Sequence, residues 1–114
     1  MEPDPETGTP ATELVVTFDD GYGSTSRWTL SCDPAAGTHP RPEAACHALT
    51  EHAAEALPAV PLGRRCAQVH GGPQTATVSG TWRGQIVSSR FSRTNGCETA
   101  RWDALEGLLP GAGS

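Results

Sequence analysis

Four cysteines and four histidines are the residues best equipped for chemistry among these 114. Cys32, Cys46, Cys66 and Cys97 stand 14, 20 and 31 positions apart, and none forms a C-x-x-C pair. A structural zinc site draws ligands in such close pairs. His47 and His52 are five apart, whereas a spacing of four puts two ligands on one side of a helix. Metal binding is therefore set aside, and both histidines are read as solvent-facing. Serine, histidine and aspartate all occur, but no G-x-S-x-G elbow or H-E-x-x-H pair organises them. The chain is read as a non-enzyme with no catalytic residue, no metal and no cofactor.

Disulfides suit the cysteines better. Four cysteines allow three connectivities. The sequential one, Cys32–Cys46 with Cys66–Cys97, would bridge one Pro-rich loop and tie a second loop to the region behind the last hairpin. Each closure would contribute roughly 3–4 kcal/mol by constraining the unfolded chain. The second loop, Gly63-Arg64-Arg65-Cys66-Ala67-Gln68-Val69-His70-Gly71-Gly72-Pro73, is polar and flanked by Pro61 and Pro73. A tethered, extended segment of this kind loses little entropy on entering a protease cleft. There its main chain would give affinity and one side chain specificity; the plain alternative is that the disulfide merely stabilises the loop.

Composition bounds the partners. Eight Lys+Arg against 13 Asp+Glu leave a net charge of −5, and all eight cations are scattered arginines. That argues against a nucleic-acid surface. No apolar run approaches the ~18–20 residues of a membrane span. Hydrophobic residues make up 36% and only six are aromatic, a thin core that covalent staples would supplement. Met1-Glu2-Pro3-Asp4 has neither the charged nor the apolar region of a signal peptide. The even cysteine count nevertheless reads as extracellular usage, hence as a mature secreted chain.

The elements that must position the loop can be read in order. Residues 1–12, acidic and Pro-rich, are expected to be a disordered arm, with one domain over 13–109. Glu13–Phe18 and Arg27–Cys32 read as strands around the Asp19–Gly23 turn. Pro42-Glu43 opens a helix whose apolar face is Cys46, Leu49, Ala53, Ala56 and Leu57. Thr75–Trp82 and Gln85–Phe91 form a hairpin over Arg83-Gly84. Glu98–Leu109 is compatible with a short helix or an irregular edge. Val16, Leu30, Val78, Trp82 and Phe91 are the expected core of one sheet.

Several runs match a known pattern: Thr29-Leu30-Ser31-Cys32, Gly37-Thr38-His39-Pro40 with Pro42, and Ala45-Cys46. Downstream, Gly80-Thr81-Trp82-Arg83-Gly84, Val87-Ser88, Phe91-Ser92 and Asn95-Gly96-Cys97 continue it. Together they resemble the Streptomyces subtilisin inhibitor family over roughly residues 13–102. The resemblance implies an α+β fold with a five-stranded antiparallel sheet, two short helices and the sequential disulfides. It implies a secreted inhibitor of subtilisin-like serine proteases, cleaved slowly as a substrate mimic and homodimeric through a sheet face. Gln68 would be P1 and Val69 P1′, flanked by Cys66, Ala67 and His70, with Asn95 supporting the loop. The chain departs from the family at His70-Gly71-Gly72-Pro73, where Tyr-Asp-Pro is usual, at a P1 glutamine, and after Cys97. Two glycines are expected to loosen the loop. Alternative readings are a non-inhibitory interaction module on this fold, or a glutamine donor to a secreted transglutaminase through Gln68 or Gln74.

Overall fold

β-Branched and aromatic residues alternate with polar ones along four segments, and each becomes a strand. The computed structural model describes residues 11–110. The elements run β1 (Glu13–Asp19), β2 (Thr25–Ser31), α1 (Pro42–Ala56), β3 (Thr75–Trp82), β4 (Gln85–Ser92) and α2 (Gly96–Ala104). One antiparallel sheet has the order β2-β1-β3-β4. Arg83 and Gly84 both have positive φ, 51° and 84°, the backbone a two-residue hairpin between right-twisted strands needs.

The register divides the sheet into a dry and a wet face. Leu14, Val16, Phe18, Leu30, Ala76, Val78, Val87 and Phe91 point into the core. α1 closes it with Ala45, Ala48, Leu49, Ala53 and Ala56, and the C-terminal segment adds Trp102, Leu105, Leu108 and Leu109. On the open face Thr29, Val15, Ser79 and Ser88 form one cross-strand row, and Arg27, Thr17, Thr77 and Arg90 the next. The disulfides are Cys32–Cys46 and Cys66–Cys97, the sequential pairing that the resemblance implied.

Two expectations need correction. The α+β class holds, but among the described residues the sheet has four strands, not five. The stretch between α1 and β3 is interrupted by Pro58, Pro61 and Pro73, which have no N–H to give a ladder. Its remaining donors are used singly, as in Arg64 N–H to Pro61 O and Gly71 N–H to Arg93 O. The second correction concerns Trp82, which is only half-buried, with the Arg83 guanidinium 4.6 Å over its ring. The fully buried tryptophan is Trp102, 1% exposed. Residues 1–10 of the expected arm lie outside the described residues. Ala11 and Thr12 are part of the fold: Ala11 O accepts from Gly84 N–H, and buried Thr12 accepts through Oγ1 from Arg83 N–H.

His39 joins the Pro-rich loop to the C-terminal segment. Its Nε2 donates to Leu108 O at 2.8 Å and its Nδ1 accepts from Arg41 N–H at 3.0 Å, so the ring is the neutral Nε2–H tautomer. Burial holds its pKa below the ordinary 6.5, with Arg41 adding to the shift. The unfolded chain therefore binds the proton more readily, and the stability gained from a neutral His39 is lost as pH falls. Urea unfolding across a pH series should show stability declining from about pH 6.5 downward. His39→Gln should flatten that part of the curve.

Candidate functional site

The segment 57–74 leaves α1 at the end where that helix has four carbonyls without helical partners. It returns to the sheet at Thr75. Between those points it projects Gln68, Val69 and His70 into solvent, Val69 being 64% exposed. Gln68 Nε2 rests on its own loop, donating to Cys66 O at 3.1 Å. Arg64 and Arg65 precede it, both exposed.

What holds this segment is one short stretch, residues 93–97, between β4 and the first turn of α2. On one side of Gln68–Val69, Cys66 is bonded to Cys97 with Cα atoms 5.3 Å apart. The neighbouring Ala67 O accepts from Gly96 N–H at 2.8 Å. That donor belongs to the first turn of a helix and has no partner of its own there. On the other side, Gly71 N–H donates to Arg93 O, at 2.6 Å, and Gly71 O accepts from Arg93 Nε, at 3.3 Å. A side chain on Gly71 would meet Thr99 Oγ1 at 2.7 Å. The glycine here permits close approach to α2, which the expectation of a merely loosened loop did not include. Pro73 abuts the β1–β2 turn at Gly21, a turn closed by Asp19 Oδ1 on Gly21 N–H and Asp20 Oδ1 on Tyr22 N–H.

Asn95 acts at the helix end. It is the N-cap of α2, and its Oδ1 accepts from Glu98 N–H at 2.9 Å, which fixes the turn that offers Gly96 N–H to the loop. Two arginines that motif reading passed over complete the frame. Arg93, 4% exposed, pairs with Asp103 at 3.2 Å and lies 5.5 Å from the Trp102 ring centroid. Arg101 donates to Ala56 O, Leu57 O and Arg90 O, pairs with Glu98 at 2.9 Å and stacks over Phe91 at 4.4 Å. The Glu98–Arg101 spacing was a visible i,i+3 signal, whereas nothing local marked Arg93. His47 is exposed and His52 pairs with Glu55 on the helix surface. Among the described residues no three metal-ligating side chains converge.

The family described as subtilisin inhibitor-like matches residues 10–95, three quarters of the sequence. The chain belongs to the subtilisin inhibitor-like family. This is a family of protease inhibitors, not of enzymes. Subtilisin inhibitor-like protein 8 of Streptomyces virginiae is 40% identical over 75 residues, covering 63% of this chain and 68% of that protein. Subtilisin inhibitor-like protein 1 of Streptomyces cacaoi is 38% identical over 80 residues, 67% and 72% of the two chains. Kexstatin-1 of Streptomyces platensis is 36% identical over 95 residues, 76% of this chain and 65% of its own length. Among solved structures, Streptomyces caespitosus sermetstatin in complex with Bacillus licheniformis subtilisin is similar at a TM-score of 0.54 and 28% identity. That match covers 87% of this chain and 97% of the other.

Arg101 is the residue through which α1, β4 and α2 share one buried cation. Arg101→Lys keeps the charge but cannot serve three carbonyls and a carboxylate at once. The orphaned carbonyls should lower stability by about 2–4 kcal/mol, read as a lower urea midpoint at unchanged m-value.

Proposed function

We propose that this chain inhibits subtilisin-like serine proteases by the standard mechanism, offering Gln68–Val69 as the P1–P1′ bond. One observation carries the reading: both sides of that bond are tied to the same short segment, 93–97. An exposed peptide anchored on one side only is a substrate, because its second half diffuses away once cut. Anchored on both sides, the halves stay in register and the cut can reverse. The family and the subtilisin complex of sermetstatin support the inhibitor class.

The side chain at P1 sets the choice of protease. Gln68 would exchange its hydrogen bond to Cys66 O for one in the S1 pocket, a nearly even trade for an uncharged amide. A trypsin-type pocket, with its buried carboxylate, calls for a cation instead. Titrating subtilisin with the wild-type protein should therefore abolish activity at a one-to-one ratio, with mass spectrometry locating slow cleavage after Gln68. Gln68→Lys should add trypsin inhibition without a change in stability, since an exposed loop tip has little packing to lose. Rapid, complete cleavage with full recovery of enzyme activity would overturn the reading and leave a binding module on an inhibitor fold.

We further propose that the protein works outside the cell as a homodimer. The two disulfides suit an oxidising compartment. The middle of the open face carries short Val, Thr and Ser side chains, Val15, Thr17, Thr77 and Ser79, with Arg27 and Arg90 on the outer strands, and is a surface on which a second sheet could stack at about 10 Å. Protein recovered from culture medium should sediment at about twice 11.9 kDa. A clean 11.9 kDa species at micromolar concentration would refute the dimer.

A further inference from the structure

The two sides of the candidate P1–P1′ bond are held by different chemistry. The side before it is covalent, through Cys66–Cys97. The side after it depends on Gly71, the third residue beyond the bond, and there a single residue makes both contacts. Arg93 offers its backbone carbonyl to Gly71 N–H and its Nε to Gly71 O. The backbone half would survive any substitution at position 93, so the side-chain half is separable.

Its placement is over-determined. Asp103 takes Nη1, the Trp102 ring lies beside the guanidinium, and 4% exposure leaves the group little freedom. With Nη1 committed to α2 and the plane held against an aromatic face, Nε is aimed at one carbonyl. A lysine could keep the charge but has no fork to divide between Asp103 and Gly71.

We propose that the Arg93 guanidinium is the positioning residue that retains the new amino terminus after cleavage, and so makes the loop an inhibitor rather than a substrate. The inference rests on the reactive-bond reading above. In the forward step the protease serine Oγ attacks the Gln68 carbonyl carbon. The carbon–nitrogen bond to Val69 breaks, and the protease histidine passes the serine proton to the Val69 nitrogen. In the return step the Val69 amine attacks the acyl carbon and gives a proton to the histidine. The serine oxygen then leaves and takes that proton back. Hydrolysis competes when water attacks instead and leaves a Gln68 carboxylate. The outcome turns on how long the Val69 amine stays beside the acyl group, an effective-concentration effect. With Gly71 pinned at two points, only Val69 and His70 stand between that amine and the anchor.

Arg93→Lys separates this role from plain stability. Against subtilisin, initial association should stay within about two-fold of wild type, because the loop is presented as before. Cleavage at Gln68–Val69 should rise at least about ten-fold. The equilibrium ratio of cut to intact protein, approached from both directions, should rise by a similar factor. Val78→Ala, a core truncation on β3 away from the loop, is the control for lost stability. It should lower the urea midpoint without changing that ratio. If Arg93→Lys does not fold, Asp103→Ala, at an exposed carboxylate, removes the acceptor of Nη1 and should raise the ratio in the same direction. A ratio equal to wild type in the folded variant, or moved equally by Val78→Ala, overturns the role of Arg93 while leaving the reactive bond in place. Wild-type protein cut at a different bond, or not inhibitory at all, removes the reactive-bond reading itself.

Discussion

A buried cation at the meeting point of three elements governs this structure. The Arg101 guanidinium fills the place that a C-terminal lysine or arginine of α1 would otherwise take. α1 has no basic residue in its last turn, and its final carbonyls, Ala56 O and Leu57 O, accept from Arg101 instead. The same group reaches Arg90 O on β4 and is neutralised by Glu98. Desolvating a guanidinium is tolerable only when nearly every donor finds an acceptor, which is what this geometry supplies. The point where the exposed loop leaves α1 is thereby fixed relative to α2, and α2 in turn holds the loop at Ala67 and Cys66.

The loop is stabilised mainly by borrowing. It contributes almost no hydrogen bonds among its own backbone groups beyond the turn at Pro61–Arg64. Its order comes from groups that α2 and the end of β4 cannot satisfy internally: the Gly96 N–H of a helix start and the Arg93 carbonyl past a strand end. This arrangement suits a segment that must remain exposed. A loop held by burial would have to hide the residues it displays, whereas one held by the leftover donors and acceptors of its neighbours can be ordered and accessible together.

Sequence pattern carried the local half of this fold. Thr75–Trp82, Arg83-Gly84 and the strand from Gln85 were legible because hairpin chemistry is written in adjacent residues. Pro42 and the acid after it marked the start of α1 for the same reason. The cysteine framework came with the family resemblance. Trp82 and Trp102 could not be ranked, because the alternation that put Trp82 inward stops counting at the edge of the sheet. Trp102 is buried by a helix whose docking is a tertiary event. The fifth strand missing among the described residues has a similar cause: an extended segment becomes a strand only if a neighbour offers a full ladder, and here Gly96 and Arg93 offer one backbone bond each. Arg93 and Arg101 were the least legible residues of the site. Their partners are carbonyls contributed by distant residues, and backbone atoms leave no mark on residue type.

The sheet is also a ruler. Ala11 and Thr12 are fastened to the β3–β4 turn, while the exposed loop enters β3 at the opposite end, beside Asp19 and Thr75. The eight residues of β3 separate those ends by roughly 25 Å at the rise of an extended strand. Ala11 and Thr12 therefore sit at the far pole from Gln68, and a contact made at that end of the sheet leaves the loop clear. The domain can be fixed there and still turn its loop outward, as a lure on the end of a short rigid rod.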